Sequence, residues 1–174
     1  MKSMLKIILA PVFMFALLTS AWADNDDNSF KAKLEGYQEV PAVSSPGSGK
    51  FSASLLPDGS LQYEISYQNL QGTPFMSHIH LGNRNTNGGI MVWLCGSAPA
   101  TPPAGTPGCP VPDGTVTGTL TAAQVVGPAG QLIAAGEFGE VIKALKTGTA
   151  YVNVHSSLVP SGEIRGQIKR NDHD

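Results

Sequence analysis

Short runs of alternating or β-branched residues recur along this chain, each closed by glycine, proline, asparagine or aspartate. Runs of that length and punctuation read as strands. They predict strands at Ser29–Leu34, Gly49–Leu56, Ser60–Gln68, Met76–Leu81, Ile90–Leu94, Gly114–Leu120, Thr149–His155 and Glu163–Lys169. In "LPDGSL", residues 56–61, Asp-Gly separates two alternating runs, which is the strongest short-range hairpin signal, so the second and third strands are expected to pair antiparallel. The pattern implies an all-β fold, an antiparallel Greek-key-like β-sandwich or barrel, rather than βαβ units. One or two short helices belong in the connections. "LTAAQVVG" offers Thr121 as N-cap and Gly127 as stop, and "GEFGEVIKALKTG" repeats Phe138, Val141, Ile142 and Leu145 at helical spacing until Gly148 ends it. The second piece is amphipathic and is expected to cover an open end or edge of the sheets.

The two ends carry other information. Two lysines in Met1–Lys6, the apolar Ile7–Leu18 and the small-x-small Ala21-Trp22-Ala23 predict a secretory signal over residues 1–23, with Asp24 as the mature start. The apolar run is shorter than the roughly 20 residues of a spanning helix and meets the polar "DNDDNS" at once. Residues 24–29 and 170–174 are expected to be polar tails without fixed structure, leaving one domain over 30–169. The expected location is periplasmic or secreted, with no membrane contact after cleavage. In such an oxidising compartment Cys95 and Cys109 are expected to form a disulfide, tying down the Pro/Gly-rich "GSAPATPPAGTPG" between them. Their spacing is unlike the C-x-x-C clips of metal sites. A formal net charge of −2, with lysines and arginines scattered along the chain, predicts no footprint for nucleic acid or acidic lipid.

The histidines carry most of the chemistry. In "FMSHIH", residues 75–80, a strand places Met76, His78 and His80 on one face and Phe75, Ser77 and Ile79 on the other. In "AYVNVHS", Val152 and Val154 mark the core side, so Tyr151, Asn153 and His155 face outward, toward an edge or cleft. If the two strands are neighbours, three imidazoles meet. Imidazole suits copper, zinc, nickel or iron, and the thioether of Met76 particularly suits Cu(I), so the expected metal is copper, with zinc as the alternative. His78, His80 and His155 are the candidate ligands and Met76 a fourth. Asn153, Glu163 and Arg165 are candidates for the surrounding shell, Glu163 as an acceptor for a ligating histidine N–H. Glu35 and Glu39 in "LEGYQEVP" are not held apart as a glycosidase requires. No Ser–His–Asp order, P-loop, G-x-G-x-x-G or H-E-x-x-H is present, which leaves enzymatic chemistry little to stand on.

Four motifs then occur in order: "LEGYQEVP", "HIHLG" followed by "NGGI", "GTAYVNVHS" and "PSGEIRGQI". The chain resembles, on these motifs, the CHRD domain, first described in chordin and found widely in bacterial secreted proteins. The resemblance runs from about Phe30 to Lys169 and implies an extracytoplasmic β domain. The family pattern places histidines at His78, His80 and His155, and its terminal Glu and Arg at Glu163 and Arg165. Ser156 stands where the family usually has threonine. Two functions are expected from these readings: a secreted or periplasmic copper-binding β protein used in storage, delivery or homeostasis, or an adhesion or matrix interaction module whose histidines are structural. The protein partner and oligomeric state are left open.

Overall fold

The computed structural model describes residues 28–171. The expected signal and the first residues after it lie outside that range, as do the last three residues. Nine strands follow in sequence: β1 (Ser29–Glu35), β2 (Ser48–Leu55), β3 (Leu61–Gln68), β4 (Pro74–Leu81), β5 (Ile90–Gly96), β6 (Gly114–Leu120), β7 (Ala150–Ser156), β8 (Ile164–Gln167) and β9 (Lys169–Arg170). All pairings are antiparallel, in the order β5-β4-β7-β8-β1-β2-β3-β6, with β9 on β1. The sheet nearly closes on itself. Just past β6, Val125 bridges Val92 of β5 and the Val126 N–H donates to the Met91 carbonyl at 2.9 Å. The expected all-β fold is therefore a barrel.

Each of the eight expected strands is present, and the Asp-Gly turn joins β2 to β3 with Leu55 opposite Leu61. Pairing runs slightly beyond the expected domain edges. Ser29 opens β1, Arg170 pairs with Phe30, and the Asn171 N–H donates to the Ser29 carbonyl. Thr121 caps its segment, but Ala122–Gln124 is a single 3-10 turn. The amphipathic piece is the α-helix α1 (Phe138–Lys146), whose Val141, Ala144 and Leu145 join the core beside β7 and β9. Cys95 and Cys109 form a disulfide that closes the loop after β5.

Burial divides the barrel wall into two halves. In β1, β2 and β3 inward residues such as Phe30, Leu34, Phe51 and Ile65 alternate with exposed polar ones, as a wall with water on its outer side must. In β7 every residue is buried, and in β4 only Met76 and Leu81 are not. The outer face of this half is covered by three loops, spanning residues 36–47, 82–89 and 157–163. This corrects the expectation that the histidines face an edge or cleft: they point away from the core, but the loops enclose them. Phe75 also departs from expectation. It was expected on the core side with Ile79, yet the register shift between Pro74 and Met76 breaks the alternation, and its ring lies 6.5 Å from that of His155.

Candidate metal centre

β4 and β7 are adjacent, and their register sets the site. Met76 lies opposite His155, His78 opposite Asn153, and His80 opposite Tyr151. On β8, Arg165 lies opposite Asn153 and Gln167 opposite Tyr151. Trp93 of β5 lies opposite His78. Because cross-strand partners share a face, one patch of wall carries three imidazoles, two amides, a phenol, an indole and a guanidinium. The opposite side of the same strands carries Ser77, Ile79, Val152 and Val154 and belongs to the core.

The three histidines converge. One nitrogen from each ring lies within 4.8 Å of one from each of the others. His78 is fully buried, His80 is 7% exposed and His155 6%. His78 sits centrally, its ring edge-to-face with Trp93 at 4.1 Å, with His155 at 5.1 Å and with His80 at 5.4 Å. Its Nδ1 is 3.3 Å from His155 Nε2, and its Nε2 has no hydrogen-bond partner. Burial, reinforced by the neighbouring rings, pushes His78 down to about 2. Burial also pushes His80 down to about 4 and holds His155 below the ordinary range. All three are therefore neutral imidazoles at physiological pH, the form that ligates a metal.

The loops fix which nitrogen carries the proton. His80 Nδ1 lies 2.9 Å from the Gly88 carbonyl and His155 Nδ1 2.9 Å from the Pro160 carbonyl. A carbonyl only accepts, so Nδ1 donates in both rings and each Nε2 is a bare lone pair. Those two lone pairs meet the same atom: Asn153 Oδ1 lies 3.1 Å from His80 Nε2 and 3.0 Å from His155 Nε2. Oδ1 is itself an acceptor. Three acceptors in contact require a cation between them or an amide turned to present its NH2.

Arg165 holds the covering loop. Only 1% exposed, it donates to the Asn83 and Thr86 carbonyls at 3.1 and 2.8 Å and to Asn87 Oδ1 at 3.3 Å. Its Cζ lies 3.4 Å from the centre of the Tyr151 ring, and that ring stacks on His80 at 4.7 Å with planes 3° apart. Tyr151 also accepts a hydrogen bond from the Gly88 N–H. Gly88 itself must be glycine, since a Cβ would collide with the Leu81 carbonyl. Arg165 thus positions the loop that sets the His80 tautomer.

Glu163 lies elsewhere. Its carboxylate accepts from the Ser45 and Ser156 hydroxyls and the Gln71 and Gly72 N–H groups. Burial raises its pKa, but these four donors outweigh burial and hold it below the usual value. It locks the loops together and takes no hydrogen bond from a histidine. The acid that reaches the centre is Glu39, 7% exposed, with the Asn153 amide and the charge of Arg165 beside it. Burial pushes Glu39 up to about 7 against the charge of Arg165, the Asn153 amide and a backbone hydrogen bond at Val40, and its Oε1 has no hydrogen-bond partner. Gly162, at φ +126°, packs against both groups, and a Cβ there would strike Glu39 Oε1. Glu39 stands in the "LEGYQEVP" motif, but its spacing does not point to the histidines, because the fold alone carries the loop after β1 over β7. Met76, on the histidine face opposite His155, is partly exposed at the rim.

Residues 30–168 match the family model described as the CHRD domain. The chain belongs to the CHRD domain family. No curated protein and no solved structure matches it significantly. In this CHRD domain the "HIH" and "VNVH" motifs lie on the adjacent strands β4 and β7, and "GEIRG" supplies Arg165 from β8. The shared motifs thus gather around one buried imidazole cluster.

Proposed function

We propose that this CHRD domain is an extracytoplasmic metal-binding barrel, with His78, His80 and His155 as ligands and copper as the metal. The observation that carries the reading is the pair of Nε2 lone pairs facing Asn153 Oδ1, an arrangement of acceptors that a cation resolves. Imidazole ligands bind at about 2.0–2.1 Å, which asks for nitrogens about 3.3–3.6 Å apart. The His78–His155 pair already stands at 3.3 Å. Three neutral nitrogens with a thioether at the rim and no ligating carboxylate favour Cu(I) over harder ions. The carbonyls on the two Nδ1–H groups are the outer-shell partners that orient metal-bound histidines. An enclosed site of this kind suits storage, delivery or homeostasis.

One observation favours a second reading. With the Asn153 amide turned over, its NH2 donates to both Nε2 atoms and its oxygen faces Glu39, which must then carry a proton. The cluster is then a metal-free structural hub, as in an adhesion or matrix module. Titration of metal-free protein with Cu(I), Cu(II) and Zn(II), followed by thermal melts, separates the two. At free metal of 100 times Kd, a binding site adds about 2.7 kcal/mol of stability. The expected outcome is sub-micromolar Cu(I) affinity lost in His78→Ala and His155→Ala. Unchanged melting in every metal, or affinity unaltered by either substitution, overturns the copper reading.

A further inference from the structure

The open half of the barrel carries a second nitrogen-rich surface. On the outer face of β1, β2 and β3 a groove of about 580 Å³ is lined by Lys31, Lys33, Lys50 and Lys169 on strands and by Arg84 from the 82–89 loop. The chain has 11 lysines and arginines, and the fold brings five of them here from distant positions. The expectation of scattered charge therefore does not hold on the surface. Lys33 lies directly opposite Lys50, and Lys31 directly opposite Lys169. Like charges facing each other across strands destabilise a sheet. Among the described residues none of the five cations is in an ion pair, and Glu64 is the one carboxylate lining the groove. β1 and β2 are flanked by neighbours on both sides, so Lys31, Lys33 and Lys50 do not guard a sheet edge.

The ligand chemistry follows from what accompanies the charges. Gln38, Ser52 and Ser66 line the groove with neutral hydrogen-bonding groups, while Gln167 beside them donates to the Gly82 and Gly148 carbonyls. Its one aromatic residue, Phe51, is buried in the core, so bases would find no stacking surface. We propose that the groove binds a linear acidic polysaccharide, with anionic groups between the paired lysines and sugar hydroxyls on the neutral side chains. It requires no metal, and its lysines lie outside the histidine centre, Arg84 alone belonging to the loop that also holds His80.

The full protein is tested against polygalacturonate, dextran sulfate, neutral dextran and poly-dT by calorimetry. Saturable binding to an acidic glycan is expected, the carboxylated or the sulfated polymer identifying the anionic group, with none to neutral dextran. Affinity should fall about tenfold or more as salt rises from 50 to 300 mM, and about tenfold in the double variant K33Q/K50Q, which removes one facing pair. That variant should melt at or above the wild-type temperature, because it relieves repulsion. Binding to neither acidic glycan, tighter binding to poly-dT, unchanged binding by the variant, or a lowered melting temperature each overturns the proposal.

Discussion

The barrel carries nitrogen-rich side chains on two parts of its outer face, and what covers them sets their chemistry. On β4, β7 and β8 loops cover the wall, and burial strips the histidines of their protons. On β1, β2 and β9 the wall is open, and lysines stand beside one another with no ion pair among the described residues. The covered half is suited to a ligand that accepts lone pairs, and the open half to one that brings negative charge. Arg165 is the exception that makes the division possible. It is a buried cation, stacked on Tyr151 and spent on the carbonyls of the covering loop.

Removing that cation should break the comparison most severely. Arg165→Ala leaves the Asn83 and Thr86 carbonyls without their donor and should destabilise the protein by about 4 kcal/mol in urea unfolding. Where the fold survives, metal affinity should fall about 10- to 100-fold, because the loop no longer fixes the His80 tautomer. The double variant C95S/C109S should lose about 3 kcal/mol with metal affinity intact, since Cys95 lies opposite Ser77 on the core side of β4. Retained metal affinity in the first variant, or lost affinity in the second, would blur the line between the two halves.

Acid should act through the covered half alone. Above pH 6.5 the three imidazoles are neutral in both folded and unfolded chains. As pH falls from there toward 4, the unfolded chain takes up protons that the folded centre refuses, so stability falls. Glu39 works in the opposite sense: folded it titrates near 7 rather than 4.5, so its contribution is fully present below 4.5 and is lost as pH rises through 7. Between pH 6.5 and 4.5 His78 and His80 refuse two protons and Glu39 keeps one, a net difference of one proton that His155 enlarges, which corresponds to a loss of more than about 1 kcal/mol per pH unit. Glu39→Gln should steepen that limb and raise stability at pH 8, both measurable as pH-dependent unfolding midpoints. The smallest effect belongs to the open half, where Lys33→Gln should stabilise by a few tenths of a kcal/mol and leave the acid limb unchanged.

The strands were legible in the sequence because alternation and turn residues report local backbone geometry. The valines of β7 identified its core face correctly, and so placed His155 with Asn153 and Tyr151. Three things were not legible. The covering of β4 and β7 depends on loops whose polar composition, as in "GNRNTNGG", reads as exposed surface. Phe75 was misplaced because a register shift breaks the period of two that the reading relied on. Glu39 beside Asn153 and the facing lysines depend on neighbours brought together by the fold, which no single segment specifies: "LEGYQEVP" offers Glu39 only as a partner for Glu35, and the lysines read as scattered.

The register of β4 against β7 also dictates an order of assembly. His78 and His80 are two residues apart, and any extended peptide can offer them together. His155 stands 77 positions after His78 and joins only once the chain between them has folded, and the Gly88 and Pro160 carbonyls depend on loops tied by similarly distant contacts. Closing such long loops is among the slower events in folding. A chain that is still folding therefore has no three-nitrogen site with which to capture stray ions. Loading, on this view, waits for a finished barrel and selects for molecules that have already passed that step.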